Sequence, residues 1–78
     1  MPPESKNIIG ARVQAARLRM KPPMTQAQLA DKLSDQGVTI DRAGISKIEI
    51  GARSVYDFEI KAFSKVLGVT LDWLFKGG

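Results

Sequence analysis

Apolar residues recur at helical spacing near the start of the chain and predict a first helix over about Lys6–Met20. The apolar positions of its inner face are separated by four, three and four residues: Ile9, Val13, Ala16 and Met20. This spacing places them on one side of a helix, where they can pack against a core. The following Lys21-Pro22-Pro23 ends the helix, because proline lacks the backbone N–H and crowds the preceding turn. The proline-containing residues Met1–Ser5 are expected to form a flexible arm.

A second helix is predicted to begin after Thr25, which is a favourable N-cap residue. Gln28 can complete a capping box with it, while Met24 and Leu29 are spaced as a hydrophobic staple. Three residues share the apolar face of this helix: Leu29, Ala30 and Leu33. Gly37 is expected to end it, because glycine readily adopts the left-handed conformation that closes helices.

The third predicted helix runs from about Arg42 to Ile50 and is followed by Gly51 as its stop signal. Either Asp41 or Thr39 can serve as its N-cap. Its two inward-facing residues are Ile45 and Ile48. The residues of its outward face are small or polar and include two positive charges: Arg42, Ala43, Ser46 and Lys47. A short, basic, outward-facing helix supported by a preceding helix is what insertion into a DNA major groove requires.

The last part of the chain predicts two more helices. The fourth spans about Asp57–Leu67, with Gly68 as its C-cap, and the fifth spans Leu71–Phe75, with Thr70 as its N-cap. The inner face of the fourth helix contains four apolar residues: Ile60, Phe63, Val66 and Leu67. No long stretch alternates between apolar and polar residues as a strand would. The predicted fold class is therefore all-α with five helices.

Length and composition narrow the class of protein. The chain has 78 residues, which suit one small domain, predicted over residues 6–76, with residues 77–78 as a frayed end. It contains no Cys and no His, and so lacks thiolate metal ligands, disulfides and the usual general base. We expect no catalytic, metal or cofactor site. No apolar run reaches the length of a membrane span, and a cytoplasmic protein without a membrane partner is expected.

The charge balance favours a polyanionic partner. The chain carries 12 Lys and Arg against 8 Asp and Glu, which gives a net charge of +4 and a calculated pI of 9.8. A basic balance of this kind is typical of nucleic-acid-binding domains. Alone it is weak evidence, since Arg42 and Lys47 can also be ordinary solvated surface charges.

Three segments of the chain, in order, resemble a known family. They read Thr25-Gln26-x-x-Leu29-Ala30-x-x-Leu33, then Ile45-Ser46-x-Ile48-Glu49-x-Gly51, then Leu67-Gly68-Val69-Thr70-Leu71-Asp72-Trp73-Leu74. The pattern resembles the lambda-repressor-like helix-turn-helix family, also called Cro-like or XRE-type, over about residues 8–75. The resemblance implies a five-helix lambda-repressor-like domain that binds double-stranded DNA. It also implies a structural ion pair between Glu49 and Arg17 of the first helix.

The chain departs from the family pattern at two places. The separation of Leu29 from Ile45 exceeds the family's usual spacing, and the added residues fall in Ser34–Asp41. We predict that they form a surface excursion that Val38 and Ile40 attach to the core, since loops lengthen at small cost. The chain also has Ile50 where relatives often have Asn, so a phosphate contact made by that Asn is not expected here.

The resemblance and the outward face of the third helix together predict a sequence-specific transcriptional regulator that binds double-stranded DNA. Asp41–Ile50 is the predicted recognition helix, and the predicted base contacts come from Arg42, Ala43 and Lys47. The predicted DNA backbone contacts come from Thr25, Gln26, Ser46 and Arg53. Promoter occlusion is the simplest mechanism, which makes the protein a repressor, and no small-molecule ligand is expected. One recognition helix covers a half-site, so we expect a homodimer on a near-palindromic operator.

Two other functions are weighed beside this one. The first is a protein-interaction module, such as an antitoxin, that uses the same fold without reading a DNA sequence. The second is a small enzyme, which the lack of His, Cys and a phosphate-binding glycine loop disfavours. For the dimer surface, the candidates are Leu71, Phe75 and the outer face of the fourth helix. Gly44 either lets DNA approach closely or marks a loose first turn of the third helix.

Overall fold

Five α-helices make up the part of the chain that the computed structural model describes, residues 5–76. They are α1 (Gly10–Arg19), α2 (Gln26–Asp35), α3 (Arg42–Glu49), α4 (Asp57–Leu67) and α5 (Leu71–Phe75). These residues contain no strand, and the predicted all-α, five-helix fold is confirmed. The predicted arm, apart from Ser5, and the predicted frayed end at residues 77–78 lie outside the described residues.

The first helix begins at Gly10 rather than at the predicted Lys6. The Asn7 side chain explains the difference, because its Oδ1 accepts the backbone N–H groups of Ile9 at 3.1 Å and Gly10 at 2.7 Å. These bonds satisfy amides at the start of the helix, so the residues before Gly10 take another path. The helix ends at Arg19, one residue before the predicted end at Met20, which has an extended backbone.

Local capping places both helices of the helix-turn-helix. Thr25 Oγ1 accepts the N–H of Gln28 at 3.0 Å, and Gln28 Oε1 accepts the N–H of Thr25 at 2.8 Å, which confirms the predicted capping box. At α3, Asp41 and not Thr39 is the N-cap, with its Oδ1 2.7 Å from the backbone nitrogen of Gly44. A Cβ at Gly44 would lie 2.9 Å from Ile40 Cγ2, so tight packing at the cap accounts for the glycine.

The core lies between all five helices. Its fully buried large side chains come from α1, α2, α3, α4 and α5 and from the residue just before α1: Ile9, Val13, Leu29, Leu33, Ile45, Ile48, Phe63 and Leu74. Removal of each such side chain from water contributes about 1.5–3 kcal/mol. α1 packs against α3, α4 and α5, and α2 packs against α3 and α4. The pair α2 and α3 is thus held in place by its packing against α1 and α4.

The longer connection between α2 and α3 stays on the surface, as predicted. Val38 and Ile40 are each 6% exposed and join the core, while Asp35, Gln36 and Asp41 are exposed. Gly37 has a φ of 78°, a left-handed conformation that glycine adopts without steric cost. The added length therefore leaves α3 packed on its apolar face.

The two C-terminal helices have the predicted bounds and caps. Gly68 has a φ of 68° and closes α4, and Thr70 Oγ1 accepts the N–H of Trp73 at 3.0 Å to cap α5. Trp73 is half-buried and lies under the Arg12 guanidinium, 3.7 Å from the ring centroid. Among residues 5–76, no helix combines the length and the apolar character that crossing a membrane requires.

Candidate nucleic-acid interface

The helix α3 has one buried face and one exposed face. Ile45 and Ile48 are both 0% exposed, so the inward face that their spacing of three residues predicted is the buried face of the helix. On the opposite side Arg42, Ala43 and Lys47 are exposed. Ser46 is half-buried beside them. The result is a short helix that presents two cations and a small apolar group to solvent on a fixed support.

A groove of about 520 Å³ lies beside the exposed face of α3. Its walls come from α3 itself, from the residue before it, from the connection after it and from the segment before α1: Lys6, Asp41, Ala43, Lys47, Arg53 and Ser54. Three of these side chains are positively charged and one is negatively charged. The acidic one, Asp41, is engaged by the Gly44 amide at the cap. The groove therefore has a basic lining next to the proposed reading face.

An ion pair fixes α3 to α1. Arg17 Nε lies 2.8 Å from Glu49 Oε2, and Arg17 Nη2 lies 3.0 Å from Glu49 Oε1. The two side chains are only 9% and 1% exposed. Arg17 Nη1 also donates to the Met24 carbonyl at 2.8 Å, just ahead of α2. One guanidinium thus connects α1, α2 and α3, with the two-pronged geometry that makes arginine–carboxylate pairs strong.

The start of α2 adjoins this ion pair through Gln26. Its Nε2 donates to Glu49 Oε1 at 3.0 Å, so the side chain lies along α3. One N–H of the amide is used in this bond, and the second has no acceptor among residues 5–76. Thr25 is exposed and uses its oxygen as the helix cap, which leaves the hydroxyl hydrogen available for another partner.

Arg53 follows α3 and is held by Glu59 of α4. Its Nη1 and Nη2 lie 3.1 and 3.0 Å from the two carboxylate oxygens of Glu59. The hydrogen bonds that Arg53 donates to Glu59 raise the pKa of the Arg53 guanidinium. Burial by itself raises the pKa of the Glu59 carboxyl, but the hydrogen bonds from Arg53 and from the Tyr56 N–H outweigh it and leave that pKa below its ordinary value.

A family model described as helix-turn-helix matches residues 16–74, which is more than half of the chain. The chain belongs to the XRE, lambda-repressor-like helix-turn-helix family. Separate comparisons with curated proteins and with solved structures return no match. The family is one of DNA-binding transcription regulators, and that general function applies to this chain.

Within the helix-turn-helix, the predicted site residues fall into two groups. Arg42, Ala43 and Lys47 share the exposed side of α3. Of the predicted backbone-contact residues, two are already engaged within the protein: Gln26 by Glu49 and Arg53 by Glu59. No group of three or more potential metal ligands occurs among residues 5–76.

Sequence reasoning missed two residues at this helix-turn-helix. Asn7 Nδ2 donates to the carbonyls of Ile48 and Arg53, 41 and 46 residues away in sequence. Lys6 lines the basic groove, although the sequence pattern assigned it to the start of α1. Helical periodicity relates only residues a few positions apart. It therefore gave no signal for contacts between Asn7 and residues more than 40 positions away.

Proposed function

We propose that the protein is a sequence-specific repressor that inserts α3 into the major groove of double-stranded DNA. The observation that carries the proposal is the two-sided burial of α3. Ile45 and Ile48 are fully buried, while Arg42, Ala43 and Lys47 are exposed. Arginine and lysine donate to the guanine acceptors O6 and N7, and an alanine methyl can contact a thymine methyl. These side chains therefore supply both polar and apolar readout of base edges.

The proposal assigns Thr25, Gln26, Ser46 and Arg53 to the DNA backbone. Glu49 holds the Gln26 amide beside α3, so that its second N–H can donate to a phosphate at the start of α2. Arg53 keeps its positive charge and further N–H groups while Glu59 fixes its position. Contacts of this type set the register of α3 on the duplex without reading its sequence.

The proposed mechanism is occlusion of a promoter by a homodimer. One α3 per chain reads one half-site, so two chains related by a two-fold axis fit a near-palindromic operator. Leu71 and Phe75 of α5 are 45% and 42% exposed, which supports them as part of the surface between the two chains. A cytoplasmic location is part of the same proposal.

Selection of bound sequences from a random duplex library tests this function. We expect the wild type to enrich two inverted half-sites whose centres lie about 10 base pairs apart, one turn of the helix. The matched control is the Arg42→Ala/Lys47→Ala variant, in which both changes are on exposed residues and should leave folding intact. Its selection should lose most of the enrichment.

The opposite result has a defined meaning. If the folded wild type enriches no sequence, the proposal is wrong and the protein-interaction alternative takes its place. That alternative predicts a protein partner at physiological salt, which a pull-down with the same protein would test.

A further inference from the structure

Lys6 lies beside the end of α3 instead of inside α1. Its backbone N–H donates to the Gly51 carbonyl at 2.8 Å, and its exposed side chain lines the same groove as Lys47 and Arg53. One of the positively charged residues that line the groove, Lys6, thus lies before residues 16–74, which the family model matches. That cation has no role in the proposed function described above.

The segment Ser5–Gly10, which we term the brace, is attached to the end of α3 at several points. Asn7 Nδ2 donates to the carbonyl oxygens of Ile48 at 3.0 Å and Arg53 at 2.8 Å. A Cβ at Gly10 would collide with the Ile48 carbonyl oxygen, which shows how closely the two backbones approach. These contacts fix the backbone of Lys6 relative to α3 before any ligand binds.

The Asn7 carboxamide is the central contact of the brace. Its oxygen accepts the N–H groups of Ile9 and Gly10, while its nitrogen donates to the two carbonyls at and beyond the end of α3. Only a side chain with both a donor and an acceptor can make this set of bonds. An aspartate at this position would keep the acceptor and lose the donor.

The charges of the groove indicate what it binds. Arg53 is already paired with Glu59, and neither Lys6 nor Lys47 has an acidic partner within 4 Å among residues 5–76. Lysine is a compact point charge that suits phosphate oxygens and does not need a planar, two-pronged partner. A DNA strand that passes along α3 offers such phosphates at the edge of the major groove.

We propose that Lys6 binds a backbone phosphate of the DNA strand next to α3 and that Asn7 is the residue that positions it. This inference rests on the proposed function, because it requires that α3 approach DNA. The brace makes the contact pre-organised, so ordering Lys6 adds little entropic cost on binding. The contact is to phosphate and adds affinity for every duplex without changing the preferred sequence.

Lys6→Ala tests the contact through its salt dependence. The probes are the duplex recovered by selection and a duplex of the same length and scrambled sequence, titrated at several salt concentrations. The variant loses one phosphate contact per chain, so for the proposed homodimer the slope of log K against log salt should become shallower by about 1.8 and binding should weaken roughly sixtyfold at about 0.1 M salt. The same change is expected on both duplexes. The matched control is Lys65→Ala, an exposed lysine of α4 that does not line the groove.

Asn7→Asp tests the positioning role. The new carboxylate would face two carbonyl oxygens and release the brace, so the slope should change as it does in Lys6→Ala. Adding Lys6→Ala to Asn7→Asp should then change the slope little further. A purely structural Asn7 would lower the unfolding temperature without altering the slope of the folded protein, and that result would remove its positioning role.

The outcomes separate this inference from the function on which it rests. A wild type that prefers the selected duplex, together with equal slopes for Lys6→Ala and Lys65→Ala, would overturn the phosphate contact and leave the proposed function intact. A wild type that binds neither duplex would overturn both. Lys6 is exposed, so its variant decides the question even if Asn7→Asp does not fold.

Discussion

Glu49 is an acidic residue in a helix proposed to approach DNA, and its surroundings explain this. The residue is 8% exposed and belongs to the inner side of α3. Its two oxygens accept from Arg17 and Gln26. The carboxylate therefore presents little charge to the DNA side. It fixes the position of the Arg17 guanidinium, which stabilises the domain, and of the Gln26 amide, which is proposed to contact phosphate.

Substitutions at Arg17 and Glu49 should be strongly coupled. Arg17→Met or Glu49→Leu leaves one buried charge without its partner, and each should lower the free energy of unfolding by about 3–5 kcal/mol. The double variant removes both charges, so its loss should be well below the sum of the two. Denaturant unfolding of the four proteins gives the coupling energy. Lys65→Met, on an exposed lysine, should change stability by no more than about 0.5 kcal/mol.

Additivity would contradict this view of the ion pair. If the double variant loses the sum of the single losses, the two charges do not stabilise each other. The contacts at 2.8 and 3.0 Å would then be incidental to the packing of α3 on α1.

At the scale of elements, a contact with the first turn of α4 holds the connection between α3 and α4 in place. Arg53 pairs with Glu59, and Glu59 also accepts the N–H of Tyr56, the residue before α4. Glu59 is 4% exposed, so its charge depends on these partners. The ionised carboxylate is therefore part of what fixes this connection beside the basic groove.

This contact predicts a pH dependence of stability on the acid side. The folded-state pKa of Glu59 is lowered below its ordinary value of 4.5. Its contribution is thus fully present above that value and is lost as the pH falls through the folded-state pKa. The difference in free energy of unfolding between wild type and Glu59→Gln should stay constant from about pH 7 to about pH 5 and shrink as the pH falls from there towards about pH 3. Chemical denaturation across that range measures it.

Arg53→Met provides the control for this pH dependence. Without the guanidinium, the pKa of Glu59 should rise, and the difference made by Glu59→Gln should vary less with pH. An equal pH dependence in both backgrounds would mean that Arg53 does not hold the carboxylate in its ionised form.

The elements also show which parts of the fold are readable from sequence. The capping box at Thr25, the cap at Thr70 and the C-cap at Gly68 are local, so residue types a few positions apart predicted them. The predicted start of α1 was wrong, because Asn7 accepts the N–H groups of Ile9 and Gly10 and also donates to two carbonyls more than 40 positions away. Arg53 and Glu59 are only six residues apart, but they flank a connection with no periodic pattern, so their pairing was not predicted.

At the scale of the whole molecule, the domain holds the inner face of α3 in its core and leaves the opposite face exposed. Helices α1 and α4 pack against the pair α2 and α3, α5 packs against α1 and α4, and the inner side chains of every helix contribute to the core. The outer side of α3 takes no part in this packing and is available to DNA. The spacing of Ile45 and Ile48 predicted the inner side of α3, and the resemblance implied the five-helix domain around it. The added residues at Ser34–Asp41 do not disturb it.

In this arrangement, the residues proposed to determine sequence specificity differ from those proposed to contribute affinity alone. Residues on the exposed face of α3 should read bases, whereas the residues around it should bind phosphate. Arg53→Ala should therefore weaken binding to all duplexes alike and make the salt slope shallower by about 0.9 for each chain of the proposed homodimer, with no change in preferred sequence. It should also lose the stability supplied by Glu59, so its binding is measured under conditions where unfolding controls show a folded protein.

Binding of the α3 variants to a panel of single-base operator variants is the most direct test of the central claim. Each base read by a side chain should account for about 1–3 kcal/mol of discrimination at its position. Arg42→Ala and Lys47→Ala should each flatten the preference at one or two base pairs per half-site, while Lys65→Ala keeps the wild-type profile. If both α3 variants are folded and retain the full wild-type preference at every position, α3 does not read the DNA sequence.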